Sequence, residues 1–168
     1  MDEYDNLLES SEEYAARVKA VVPNMPDDVI DQWFYSHPTA IDSWTWLRLS
    51  SVWFTLEEWA TADVPALDRE DGSVHTYRYH LDRTGPSPRM SRLIDYFAEN
   101  QTWPRCPIML ENFGGQHVRP DGWKCRVPYQ LLEGHHRLAV FSLYRDRGEL
   151  AERHRIWVGR QSARDEAV

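Results

Sequence analysis

The sequence predicts an α+β fold, a small mixed sheet with flanking helices behind a helical N-terminal extension. Three observations predict it. Apolar residues recur at helical spacing in several separated segments. Short apolar runs bounded by Pro or Gly lie between them. The chain has 168 residues, enough for one core with a small appendage. Eight Trp, eight Tyr and five Phe supply side chains that bury large areas.

Residues 2–21 read as a helix, with Leu7, Leu8, Tyr14, Ala15, Val18 and Val21 on a rough 3.6-residue stripe and Pro23 ending it. A second helix fits Pro26–Tyr35. Proline suits the first helical position, Asp27 and Asp28 suit the positive end of the dipole, and Val29, Trp33 and Phe34 form the apolar side. Residues 41–54 fit strand or helix. Thr55 to Glu58 reads as a capping box, with Phe54 and Trp59 placed for a hydrophobic staple, and predicts a short helix from Leu56 to Pro65. Val74–Leu81 places aromatics two apart and predicts a strand.

Ser87 is expected to cap a helix that starts at Pro88, carries Met90, Leu93, Ile94 and Phe97 on one face, and ends near Asn100. Pro107–Leu110 reads as a strand, and the glycine-rich stretch 114–122 as a polar loop. Val127–Leu132 is the next strand. His135 to about Arg145 is a helix apolar on most sides and therefore buried. Arg155–Val158 closes the set. Residues 1–60 are expected to form an aromatic-rich helical extension packed on the core, 61–160 the main domain, and 161–168 a loose tail.

The net charge of −8 is uneven. Residues 1–82 hold 5 Lys/Arg against 17 Asp/Glu, and residues 83–168 hold 14 against 10; 17 of the 19 basic residues are Arg. An acidic chain repels nucleic acid at long range, which disfavours general DNA or RNA binding. The basic half suits a small anionic ligand, and the acidic residues 1–82 suit a basic protein partner. No apolar run approaches the roughly 18 residues of a membrane span. The acidic N-terminus is unlike a signal peptide. Cys106 and Cys125 match no zinc spacing and read as reduced thiols. A cytoplasmic location is expected.

Chemistry concentrates in LLEGHHRL. A strand ends at Glu133, and Gly134 supplies the positive φ of a sharp reversal. His135, His136 and Arg137 then fill a first helical turn, where backbone N–H groups and the dipole favour an anion. Two alternatives stand beside that reading. Glu133 pairs with Arg137 while one histidine serves the core, or the histidines hold a metal. Adjacent helical side chains diverge by about 100°, which argues against the metal. His75 and His80, five apart on the expected strand, face opposite sides and make a poor metal pair. Arg89 and Arg92 flank a helix start. His117 and Arg119 lie in the glycine-rich loop, as a surface loop or as a cover over a ligand. Trp33, Trp44, Trp46, Trp53 and Trp59 read as core, with any exposed subset a partner surface.

The order strand, Glu-Gly-His-His-Arg, helix resembles the phosphate-binding signature of the ParB/sulfiredoxin fold. That group includes the ParB nucleotide-binding domain, sulfiredoxin and free-serine kinases. Upstream, PSPRMSRLIDYFAEN followed by CPIMLEN is similar to the group's proline-arginine turn, helix and strand. Downstream, RHRIWV fits its closing strand, so the likeness spans about residues 75–160. The resemblance implies phosphate contacts from Gly134, His135, His136 and Arg137, with Arg89 as the turn arginine. His135 stands where sulfiredoxin has its reactive cysteine, and the Glu-Arg-Arg run that follows the glycine in ParB is absent. The kinase-like pattern is nearest, with Glu133 where those members often have Asp. The general base lies outside that motif, which leaves Glu57, Glu58 and Glu111, beside Glu133, as candidate carboxylates.

Three functions follow as expectations. The first is a nucleotide- or phosphate-binding enzyme performing small-molecule phosphotransfer with ATP or another nucleotide and Mg²⁺. The second is an acidic protein-binding module of the immunity or antitoxin kind on the same fold. The third, a nuclease or DNA-partition factor, rests on fold analogy. Arg137→Ala is expected to abolish anion binding with little loss of stability. Unfolding would instead make Arg137 a structural partner of Glu133.

Overall fold

Helix starts follow their caps. The computed structural model describes residues 9–37, 40–65 and 72–161. In α1 (Ser11–Lys19), the Ser10 hydroxyl accepts from Glu13 N at 3.3 Å and the Glu13 carboxylate accepts from Ser10 N at 2.8 Å, a reciprocal cap. The helix expected over 2–21 is thus shorter where it is described, beginning after the Ser10 cap and ending at Lys19, with Ala20 and Val21 in a turn; residues 2–8 of it, and the expected loose tail from 162 onward, lie outside the described residues. α2 (Asp27–Val29) runs on as a π-helical stretch, Ile30–Tyr35, that buries Ile30, Trp33 and Phe34. The ambiguous segment holds a short helix α3 (Ala40–Trp44) and a 3₁₀ turn (Leu49–Ser51), and strand begins at Val52.

The capping box at Thr55 does not start a helix. Val52–Ala60 is strand β1. Val52 and Phe54 are buried while Trp53 and Thr55 are exposed, so the period-two pattern of branched and aromatic residues decides the segment. The Glu58 carboxylate accepts from Arg153 Nε at 3.0 Å, and Glu57 accepts from Trp59 Nε1 at 2.9 Å, instead of closing a cap.

The strand expected over 74–81 is also overturned. Gly72–Arg83 is helix α4. Val74 is buried and Tyr77, Arg78 and Leu81 are half-buried, a helical i, i+3, i+4, i+7 face, while His75, Thr76, Tyr79 and His80 are exposed. Tyr77 and Tyr79 supplied the false alternation.

α5 (Pro88–Asn100) starts as expected, with Ser87 Oγ accepting from Met90 N at 3.4 Å and Pro88 at the first position. β2 (Ile108–Glu111), β3 (Tyr129–Glu133), α6 (His135–Arg147) and β4 (Arg153–Gln161) complete the α+β fold. The four strands form one sheet in the order β1-β4-β2-β3.

The chain divides into two compact units, with boundaries at Thr55/Leu56, Ile108/Met109, Leu132/Glu133 and Trp157/Val158. In the unit of residues 1–55, 109–132 and 158–168, Trp33 is fully buried, stacked on Phe34 at 4.4 Å and edge-on to Trp44 and Phe54. Gly159 lets β4 approach closely, because a Cβ there would lie 2.8 Å from the Phe54 ring. In the unit of residues 56–108 and 133–157, α4 and α5 both pack on α6. Met90, Phe97, Leu138, Val140, Phe141 and Ile156 are buried in its core, and Tyr144 donates to the Ile94 carbonyl at 2.9 Å. Among the described residues no helix is long and apolar enough to cross a membrane.

Candidate functional site

The strand-to-helix bend is built as the sequence requires. Gly134 takes φ 111°, ψ 21° between β3 and α6. A Cβ there would lie 2.9 Å from Pro107 Cβ and 3.2 Å from Pro107 Cα, so torsion and packing both select glycine. The N-cap residue Gly134 offers no side-chain cap to α6, and the helix's first turn carries no acidic residue. The first helical hydrogen bond runs from Leu138 N to the Gly134 carbonyl at 2.9 Å. The amides of residues 135–137 therefore lie outside the helix's own ladder, at the positive end of its dipole.

Arg137 faces inward. It is 8% exposed. Nη2 donates to Glu133 Oε1 at 3.2 Å, and Nη1 donates to the carbonyls of Arg105 at 3.1 Å and Cys106 at 3.5 Å. The pairing of Glu133 with Arg137, one of the alternatives open from sequence, is the observed geometry. Burial pushes Arg137 below the ordinary arginine value, Glu133 opposes that, and the charges of Arg105 and Arg89 lower it further. An arginine so lowered still carries its charge at neutral pH.

The other predicted residues are distributed around this bend. His135 and His136 are half-buried, and the His136 ring stacks on Tyr77 with centroids 3.9 Å apart and planes at 25°. Arg89 sits exposed at the second position of α5, within electrostatic range of Arg137. Arg92, also on α5, is exposed. Sequence reasoning missed Tyr77, because α4 was read as a strand. It also missed Arg105 and Cys106, which contribute backbone carbonyls and leave no sequence signal.

Each candidate carboxylate has a partner. Glu133 holds Arg137, Glu57 and Glu58 are engaged as described on β1, and Glu111 accepts from Arg160 Nε at 2.9 Å. None is placed as a catalytic base by this geometry.

The glycine-rich loop is exposed over most of its length, with His117 turned inward. His117 is 3% exposed, and burial lowers its pKa. Asn112, fully buried, organises the loop. Its Oδ1 accepts from His117 N at 3.1 Å, and its Nδ2 donates to the carbonyls of Cys125 at 3.0 Å and Arg126 at 3.1 Å. Arg119, expected beside His117, instead pairs with Asp121 at 2.6 Å near the loop's tip. A lone Asn between a strand and a Phe-Gly-Gly run gives no sequence sign of this role.

Cys106 and Cys125 carry thiols, and burial raises Cys125 to about 11. A buried thiol so raised is chemically quiet. Compared with family models, curated proteins and solved structures, the chain matches none.

Proposed function

We propose that this protein binds a small phosphate-bearing ligand, a nucleotide among them, at the first turn of α6. One observation carries the reading. Arg89 and Arg105 each lie within electrostatic range of Arg137, which pairs with Glu133, at the positive end of a helix whose first turn has no acidic residue. Like charges gathered at such a place repel, and an oxyanion offsets them. In this reading Arg137 shapes the bend and adds its field, while Arg89, His135 and His136 supply contacts at the mouth. The ParB/sulfiredoxin resemblance belongs to the same proposal. It is supported by the order of α5, β2, β3, the glycine bend, α6 and β4. Phosphotransfer with ATP and Mg²⁺ is its further extension, and a cytoplasmic setting goes with it.

Calorimetry with inorganic phosphate, and with ATP, ADP and CTP each with Mg²⁺, tests it. Binding that weakens in Arg89→Ala supports the site, because that exposed arginine is expected to change stability by no more than about 0.5 kcal/mol. No heat with any of these at millimolar concentration ends the reading.

A second reading, a module for a basic protein partner, is favoured by exposed aromatics in the unit of residues 1–55, 109–132 and 158–168. Trp53 is 59% exposed, Phe113 62% and Trp123 41%. Exposed tryptophan is costly in water and common at interface hot spots. Retention of a basic protein at low salt, lost in Trp123→Ala, supports this reading; equal retention by wild type and variant rejects it.

A further inference from the structure

His154 lies on β4 and is 2% exposed. Its ring packs against Trp103, with centroids 5.0 Å apart, and edge-on against Phe141 at 4.9 Å. Both ring nitrogens meet hydroxyls: Nδ1 is 2.9 Å from Thr102 Oγ1 and Nε2 is 3.0 Å from Thr61 Oγ1. Thr61 Oγ1 in turn lies 2.5 Å from the Ala151 carbonyl oxygen.

Counting protons fixes the directions. A carbonyl oxygen only accepts, so the single Thr61 hydroxyl proton goes to Ala151. The contact between Thr61 Oγ1 and His154 Nε2 then needs its proton on Nε2. A neutral imidazole carries one N–H, so Nδ1 is bare and accepts from Thr102. The chain runs one way, Thr102 to His154 to Thr61 to Ala151.

These groups close on the turn before β4. Ala151 N donates to the Gln101 carbonyl at 3.0 Å, and Thr61 N donates to the Glu152 carbonyl at 2.9 Å. Gln101 ends α5 in a left-handed conformation, φ 57°, which is strained for a residue with a side chain. Thr61, Arg145, Gly148, Leu150, Ala151 and Glu152 line a cavity of about 360 Å³. The turn 148–152 is thus both a wall of that cavity and the far end of the proton chain.

We infer that His154 is a proton-sensitive latch, held as its Nε2–H tautomer at neutral pH, and that a second proton on Nδ1 reverses the Thr102 end and loosens the turn 148–152. The added proton meets the Thr102 oxygen from the side on which Thr102 was the donor. Thr102 has to turn its own hydrogen away, next to the Gln101 carbonyl that holds Ala151. The charge arrives among Thr61, Thr102, Trp103, Phe141 and the Ala151 carbonyl, none of which is charged. On the same elements, Arg145 and Glu152 line the cavity with Thr61, and Arg153 and Arg155 are exposed neighbours along β4. Burial already lowers the His154 pKa, with the Ala151 carbonyl partly opposing.

The test is NMR of the full chain with labelled histidine, together with amide exchange followed from about pH 8 to about pH 5. The ring shifts are expected to report the Nε2–H tautomer at the alkaline end. Protection of the 148–152 amides is expected to fall with the same midpoint as ring protonation, by about tenfold per pH unit below the transition, while the α6 amides, held by the whole fold, stay better protected than the turn throughout. His154→Gln, which takes up no proton, is expected to flatten the response. An Nδ1–H tautomer overturns the latch. So does a midpoint for the turn that differs from that of the ring, or a turn whose amides exchange only when those of α6 do. The wild-type measurements decide the matter even where the variant fails to fold.

Discussion

Glu133 Oε1 and Arg137 Nη2 stand 3.2 Å apart across one helical turn, so the last residue of β3 is tied to the first turn of α6 by side chains as well as by backbone. The pair is largely buried, with side-chain exposures of 16% and 10%. Removing one partner strands the other charge. Arg137→Ala is therefore expected to cost about 3 kcal/mol or more, and also to leave two carbonyls unbonded. Urea denaturation measures it. A loss below about 1 kcal/mol would return Arg137 to the purely ligand-binding role expected from sequence.

The Gly134 bend makes a second prediction. Alanine there adopts φ 111° and sets its Cβ 2.9 Å from Pro107. Left-handed backbone costs an L-residue roughly 1–2 kcal/mol, and the contact adds to it. Gly134→Ala is expected to lower stability by at least about 2 kcal/mol in the same denaturation measurement, and to weaken phosphate binding in calorimetry.

Asn112 is the third. Its side chain makes three hydrogen bonds to backbone groups of the loop it begins. Asn112→Ala leaves buried donors and acceptors unpaired and is expected to cost about 3 kcal/mol. Hydrogen exchange should show the effect concentrated in residues 112–128. An even spread over the chain would mean that the loop is held by other contacts.

Much of this fold was legible because it rests on local rules. Ser87-Pro88, the run around Leu131 and the Gly134 bend each carry their own instruction: a cap, a buried apolar run, a positive φ. The failures at Thr55 and Val74 have one cause. A capping box and an aromatic alternation are both short signals, and tertiary burial overrode each. Val52 and Phe54 needed to face the core as a strand, and Val74, Tyr77, Arg78 and Leu81 as a helix. At the candidate site, sequence located the glycine and its four neighbours. It left open whether Glu133 or a ligand answers Arg137, because that depends on two carbonyls brought in from 105–106.

Acid is the fourth prediction. His117 and His154 are both buried, and burial lowers both below the usual 6.5. Between the lowered values and 6.5 the unfolded chain holds protons that the folded chain does not. The stabilisation is therefore full above 6.5 and is lost as pH falls toward the folded-state values, by up to about 1.4 kcal/mol per pH unit for each histidine. Urea midpoints from about pH 8 to about pH 5 check the slope, and His117→Gln should reduce it by one proton's share. A flat profile would place both rings in contact with water.

Because Asn112 gathers His117, Cys125 and Arg126 at the base of its loop, the hairpin beyond them is closed off by its own rungs. Val118 bridges Lys124, Arg119 N donates to the Trp123 carbonyl at 2.7 Å, and Gly122 N donates back to Arg119. Foreign sequence spliced between Asp121 and Gly122 would hang from a sealed ring instead of prising the strands apart. That makes this apex the natural graft point for a tag or a reporter.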